Sequence, residues 1–446
     1  MKSPFFCLAF AALLTLPALA RAAEAVTVFE NVRIFDGQTA RLSEPRHVLV
    51  RENRIERISA TPIPTDRRAD TVLVAGEGRT LMPGLIDAHT HIMFATLSQA
   101  ALLTSDLGFV TVAAARAAEE ALLHGFTSFR DLGGPVFGLK RGIDLGLARG
   151  PRIWPSGAHI SQTGGHGDFR LPTDFPAGCC SFSYGERIGA TAIADGADQV
   201  LQRTREQLAL GASQIKLMAG GGAASHYDPL DVTQYTVPEL RAGVEAAANW
   251  GTYVTVHAYT PRAIRQAVEA GVKCVEHGQL MDEATARLLG EKGVWLCLQT
   301  FTLDRPSAFP EGSPNRLKQL EVAKGTDNAY RWAKQFGIPV AWGSDVLFNA
   351  NAAQEQLLAL ARLTNWYSPG EALIMATSRN AELLALSGPR NPYPGRLGVV
   401  AEGTLADLLL VDGNPLEDIG VLTEPERRLV VVMKDGRIYK HARSQP

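Results

Sequence analysis

Two histidines stand two residues apart in Leu85-Ile86-Asp87-Ala88-His89-Thr90-His91, at the end of an apolar, strand-like run. Along a strand, residues two apart face the same side, so both imidazoles would point together, and neutral imidazole nitrogens bind a borderline ion such as zinc. A lone His-x-His pair also arises by chance. It gains weight because similar residues mark other apolar runs. Lys216 interrupts Gln214-Ile215-Lys216-Leu217-Met218, His257 ends Tyr253-Val254-Thr255-Val256-His257, His277 follows Cys274-Val275-Glu276, and Asp345 closes Pro339-Val340-Ala341-Trp342-Gly343-Ser344-Asp345. An ammonium among apolar neighbours is desolvated and costly unless compensated. Either an inward carboxylate pairs with Lys216, or carbon dioxide has carboxylated it, which turns a cation into an anionic two-oxygen ligand able to bridge two metals. A carboxylate at position 345 also needs a cationic partner, and a metal would supply it. His89, His91, Lys216, His257, His277 and Asp345, at five strand ends, form one candidate set.

The elements that would hold this set are parallel strands. Apolar runs begin near Leu85, Phe126, Arg152, Gln214, Tyr253, Cys274, Val294 and Pro339. Most precede a segment of helical spacing, such as the one with Val200, Leu201, Thr204 and Leu208 on one face. Eight strand-helix units in about 300 residues predict an α/β fold, a (β/α)8 TIM barrel, with a doubly wound open sheet as the competing architecture. Barrel chemistry sits at the C-terminal strand ends, where the candidate set lies. No Gly-x-Gly-x-x-Gly opens the first unit and no Walker loop occurs. Gly220-Gly221-Gly222 lacks the Lys-Ser/Thr of a phosphate loop and reads as a flexible active-site loop. Arg130-Asp131, ending the second strand, reads as a structural ion pair at the barrel mouth rather than as catalytic, with Arg130 also able to meet a carboxylate.

At both chain ends the pattern changes to short alternating strands. They are Val26 to Phe29, Val32 to Phe35, His47 to Val50, Ile55 to Ile58 and Thr71 to Val74, and later Asp407 to Val411 and Leu429 to Met433. Together they predict a small β-sandwich domain, 24–83 and 389–446, flanking a barrel at 84–388. Residues 1–23 read as a secretory signal peptide, with Lys2, an apolar stretch from Phe5 to Leu16, and small residues at Ala18, Ala20 and Ala22. The stretch is shorter than the roughly 20 residues of a bilayer span, so the mature chain is expected in the periplasm or outside the cell, free of the membrane.

With 446 residues, 46% hydrophobic and 20% charged, the chain is globular and able to bury a large core. A formal charge of −2 without a basic block argues against nucleic acid as a partner. Of five cysteines, Cys179, Cys180, Cys274 and Cys297 follow the leader, and none reads as catalytic.

Pro83-Gly84-Leu85-Ile86-Asp87-Ala88-His89-Thr90-His91 and Gly403-Thr404-Leu405-Ala406-Asp407-Leu408-Leu409-Leu410-Val411 resemble the amidohydrolase superfamily, and the likeness spans nearly all of the mature chain. Cyclic deaminases of that superfamily carry His-x-x-Glu after the fifth strand. Here the residues are His257-Ala258-Tyr259-Thr260, which argues against deamination. Lys216, His257-Ala258-Tyr259 and Gly164-Gly165-His166-Gly167-Asp168 are similar to the secreted, binuclear Xaa-Pro dipeptidase and carboxypeptidase branch, and to bacterial amidohydrolases that split ochratoxin A. The resemblance implies two zinc ions, one held by His89, His91 and Asp345 and the other by His257 and His277, bridged by carboxylated Lys216. It implies hydrolysis of dipeptides or N-acyl amino acids that carry a free carboxylate, with Asp345 moving the proton, and large homo-oligomers, often octamers. Tyr259, on the same strand face as His257, and His166, in a Gly-rich stretch, are expected to bind that small-molecule substrate. The rival readings are a lactonase or deaminase using the same cage, and a metal- or solute-binding protein without turnover.

Overall fold

The computed structural model describes residues 25–65, 71–171, 182–304, 307 and 309–442. The leader and Cys179 and Cys180 lie outside the described residues. Parallel strands form two sheets. One contains Leu85–Thr90, Phe126–Asp131 and Arg152–Pro155. The other runs in the order Thr191–Ile193, His159–Ser161, Ile215–Met218, Val254–Ala258, Cys274–His277, Trp295–Leu298 and Val340–Trp342. All eight strands expected from the apolar runs are present, each starting within one residue of its expected place. They are readable because strands buried on both faces lack polar alternation. His159–Ser161 and Thr191–Ile193 are additional, and three residues are too few to carry a pattern.

Helices follow most of these strands, and their ends are set locally. Pro261–Ala270 opens with proline in its first turn and stops at Gly271, which adopts φ +99°. Glu283–Lys292 starts where the Asp282 side chain accepts from Thr285 N at 2.7 Å and stops at Gly293. Ala197–Ala209 buries Val200, Thr204 and Leu208, as its spacing predicts, and also Gln207, while Leu201 of the expected face is only half-buried. Among the described residues no helix is long and apolar enough to cross a membrane.

The two parallel sheets meet along two seams. At one, Ser213 N donates to Pro155 O at 2.7 Å and Gln214 Nε2 donates to Trp154 O at 2.9 Å. At the other, Asp345 N donates to His89 O at 2.9 Å, and the buried Asn380 side chain bridges two strands. Its Nδ2 donates to Ile86 O and Trp342 O, each at 2.7 Å, while Oδ1 accepts from Trp342 N at 3.0 Å. Gly343 permits this approach, since a Cβ there would stand 2.6 Å from His89 N.

The chain ends do build a sheet together. Val26–Ile34 lies at its centre, pairing with Arg46–Arg51, Thr71–Ala75 and Thr80–Pro83, and Leu408–Val411 then joins the N-terminal part to Leu429–Lys434 and Arg437–His441. The two short strands expected at 26–29 and 32–35 are one strand with a bulge, where Asn31 takes φ +53°. Phe29, Val48, Leu81, Leu408 and Val431 form the core of this sheet. Asp407 clamps it to the parallel strands, because Arg152 donates to both carboxylate oxygens, at 2.9 and 3.2 Å.

Candidate metal centre

Six side chains from five strand ends converge. His89 ends in Leu85–Thr90 and His91 follows it, while Lys216, His257 and His277 lie in Ile215–Met218, Val254–Ala258 and Cys274–His277, and Asp345 follows Val340–Trp342. All six line one pocket, together with Tyr259, His166 and His159. Asp345 Oδ1 stands 3.4 Å from His89 Nε2 and 3.6 Å from His91 Nε2, and ligand atoms of His89, His277 and Asp345 lie within 4.8 Å of one another. The ring centroid of His277 is 5.0 Å from that of His89 and 4.5 Å from that of His257. His277 and Asp345 have φ of +81° and +48°, a region that costs a non-glycine residue about 1–3 kcal/mol and tends to persist at functional sites.

The imidazoles fit a metal in their protonation as well as their position. Each has one ring nitrogen facing an atom that can only accept. His91 Nδ1 faces Gly133 O at 3.3 Å, His257 Nε2 faces Gly221 O at 3.0 Å, His277 Nδ1 faces Gln299 Oε1 at 2.7 Å, and His89 Nδ1 lies 2.8 Å from Glu276 Oε2. The proton therefore sits on that nitrogen, and the other keeps the lone pair a metal needs. Burial, followed by the charges of neighbouring basic groups, holds His91, His257 and His277 well below the usual imidazole range, so they are neutral.

Lys216 is 1% exposed, and among the described residues nothing forms a hydrogen bond or salt bridge with its ammonium. Burial lowers its pKa, a shift that the nearby charges of Glu276 and Asp345 oppose without cancelling. The inward-carboxylate alternative thus supplies field but no contact. A lysine of lowered pKa has more of the free amine that reacts with carbon dioxide. A second triplet, His89, Glu276 and Cys297, also comes within 4.8 Å, but of the three only His89 lines the pocket, and Arg130 pairs with Glu276 Oε1 at 2.7 Å.

The other expectations divide. His166 stacks on His257 with centroids 4.0 Å apart, and its Nδ1 pairs with Ser225 Oγ at 2.8 Å. The Tyr259 ring packs edge-on to His257 at 4.9 Å. Gly220-Gly221-Gly222 is not a flexible loop. All three glycines are buried, Gly222 N donates to Asp228 Oδ2 at 2.8 Å, and a Cβ on Gly222 would strike the His166 ring at 2.0 Å. Close packing, rather than mobility, requires glycine there. Arg130 does not pair with Asp131 at the mouth. It reaches Glu276 in the interior, while Asp131 Oδ2 accepts from Ile92 N at 2.7 Å.

His159, Glu276 and Gln299 were not among the expected site residues. His159 is 2% exposed and edges against Phe94 and Phe169. A charged or polar residue inside a short apolar run was the available signal for His159 and Glu276, as it was for Lys216. Gln299 lies just past Trp295–Leu298, and its role depends on His277, 22 residues away.

The chain is similar to known proteins over most of its length. A sequence model of the amidohydrolase family matches residues 80–439. Ochratoxinase of Aspergillus niger is 34% identical over 378 residues, which cover 81% of this chain and 75% of that protein. A prolidase solved in complex with N-methylphosphonate-L-proline matches with a TM-score of 0.84 and 34% identity, over 93% of this chain and 100% of the other. A Xaa-Pro dipeptidase with methionine bound in its active site matches with a TM-score of 0.78 and 28% identity, over 93% of this chain and 100% of that one. The family match and the extent of these likenesses establish that the chain belongs to the amidohydrolase family.

Proposed function

We propose that this protein is a binuclear metal-dependent hydrolase that cleaves the amide of a dipeptide or N-acyl amino acid and releases an amino acid with a free carboxylate. The observation that carries this reading is the convergence of His89, His91, Lys216, His257, His277 and Asp345 on one pocket, with the imidazole lone pairs left available. His89, His91 and Asp345 would hold one ion and His257 and His277 the other, with carboxylated Lys216 between them; zinc suits this donor set of nitrogen and carboxylate oxygen. Bound ions supply Lewis acidity, which acidifies a water and polarises the scissile carbonyl. Asp345 takes the proton from the attacking water and delivers it to the leaving nitrogen. Tyr259 and His166, both against His257, offer the donors that anchor the substrate carboxylate or its developing oxyanion.

Ochratoxinase, prolidase and dipeptidase relatives support an amide substrate, and the ligands named with two of them, a proline phosphonate and methionine, support a released amino acid. Phe94, Phe169, Phe301, Phe309 and Phe348 line the pocket and suit a large or aromatic group beside the amide, which makes ochratoxin A a fitting probe. The seam hydrogen bonds favour reading the two parallel sheets as one (β/α)8 barrel, at 84–388, with the end strands as its β-sandwich companion. Export to the periplasm or medium, removal of 1–23 and assembly into a homo-oligomer, as large as an octamer, complete the proposal.

The test is a panel of dipeptides, N-acyl amino acids including ochratoxin A, lactones and cyclic amidines, with free amino acid as the readout. Hydrolysis of the amides that chelator abolishes and zinc restores is the expected result. Turnover confined to lactones or amidines, or none on any substrate with metal bound, would overturn the reading.

A further inference from the structure

Next to the cage lies a polar group that does not line the pocket. Arg130 and Glu276 are both fully buried, and their side chains meet with Nη2 2.7 Å from Oε1. Thr255 Oγ1 also donates to Oε1. Arg130 Nε donates to Ala88 O at 2.6 Å, one residue before His89, and Nη1 donates to Tyr253 OH at 3.2 Å. A buried ion pair is a poor stabiliser, because taking two charges out of water costs about what their attraction returns. Its distinguishing feature here is the other carboxylate oxygen. Glu276 Oε2 is buried, forms no hydrogen bond of regular geometry and stands 2.8 Å from His89 Nδ1.

That contact decides which nitrogen of His89 carries the proton. With a carboxylate oxygen at 2.8 Å, an unprotonated Nδ1 would set two lone pairs against each other. Gln299 Nε2 also lies 3.3 Å from the same nitrogen, a longer contact than that of the carboxylate, and donates to Cys297 O at 3.1 Å. Gln299 instead turns its oxygen to His277 Nδ1 at 2.7 Å. The shortest contacts of two ligands assigned to different ions thus go to two different buried groups, Glu276 and Gln299.

We infer that Arg130 and Glu276 are positioning residues for the ion at His89, and that Gln299 is the separate positioning residue for the ion at His277, so that either position can be weakened without the other. The inference rests on the binuclear reading above. Glu276→Gln keeps the shape and leaves an amide oxygen for Arg130 and Thr255 to donate to. Its NH2 group then faces His89 Nδ1, which must become the acceptor. The proton moves to His89 Nε2, the nitrogen that faces Asp345 at 3.4 Å, and closes the ligand position. Gln299→Glu keeps an acceptor for His277, and Gln299→Leu removes it.

The experiment measures zinc per chain by elemental analysis, and stepwise zinc affinity by chelator competition, on folded protein checked by circular dichroism. Wild type is expected to hold two ions. Glu276→Gln should weaken one ion about 10–100-fold and spare the other, Gln299→Leu should weaken the other by a similar factor, and Gln299→Glu should keep both. In a Glu276→Gln, Gln299→Leu double variant the two losses should appear together. Should Glu276→Gln fail to fold, Arg130→Lys, which keeps the charge but gives up the reach to Ala88 O, is expected to weaken the same single ion. Two ions held with wild-type affinity in Glu276→Gln, or equal weakening of both ions in each single variant, would overturn the inference. A wild type that binds no zinc would instead overturn the binuclear reading itself.

Discussion

Replacing Lys216 by methionine separates a structural lysine from a metal-bridging one by sign. Methionine fills nearly the same volume and carries no charge, so packing changes little. In the metal-free protein the ammonium is buried, held by no contact among the described residues, and of lowered pKa; losing it should leave stability within about 1 kcal/mol of wild type or raise it. In the loaded protein the two outcomes diverge. An ion bound only by the native state adds about 2.7 kcal/mol when its free concentration is a hundredfold above its Kd, so two ions add about 5 kcal/mol. If carboxylated Lys216 holds both, Lys216→Met should lose nearly all of that increment. The assay is guanidinium unfolding of both proteins in chelator and in buffered zinc, with native mass spectrometry reporting one added carbon dioxide in wild type alone. A variant that keeps the full zinc-dependent increment would refute the bridging role.

Other consequences are local. Asp345→Asn should lower kcat by at least about 100-fold, the usual worth of a general acid-base group, while elemental analysis shows metal retained; near-normal turnover with full metal would remove Asp345 from proton transfer. Asn380→Ala strands two carbonyls and one N–H group that its side chain now satisfies, which should cost about 3–6 kcal/mol in urea unfolding; a loss under about 1 kcal/mol would mean that the seam does not depend on it. His159 is pushed down to about 3 by burial and then by the charge of His166. The folded state leaves it neutral while the unfolded state takes up a proton below about pH 6.5, so stability falls as the pH drops from there toward 3. Metal-free His159→Gln should show a slope shallower by about 1.4 kcal/mol per pH unit over that window, and an unchanged slope would count against a neutral buried His159.

Much of this organisation is legible in the sequence because burial on both faces removes ambiguity. In Ile215–Met218 every residue but Lys216 is apolar, so that lysine stands out, and His257 and His277 stand at or next to the ends of strands that open on apolar residues. The same contrast made His89, His91, Lys216, His257, His277 and Asp345 visible as a set. Contacts between distant residues were not visible. Arg130 meets Glu276 across 146 positions and Asn380 reaches Ile86 across 294, and nothing in either local sequence names the partner. Adjacency suggested Asp131 as the partner of Arg130, but neighbouring residues in a strand point to opposite faces. The glycines at 220–222 misled for a related reason, since composition alone does not separate a mobile loop from one packed too tightly for a Cβ.

Two metal ions in this cage would together drive amide hydrolysis, a cooperation that ties the six ligands to the reaction. It is tested most directly by titrating zinc into chelator-stripped protein while following amino acid release from the best substrate of the panel. Activity should be absent at the start, rise with added zinc and level off at two equivalents per chain. Full activity in the stripped protein, or a plateau at one equivalent, would contradict it.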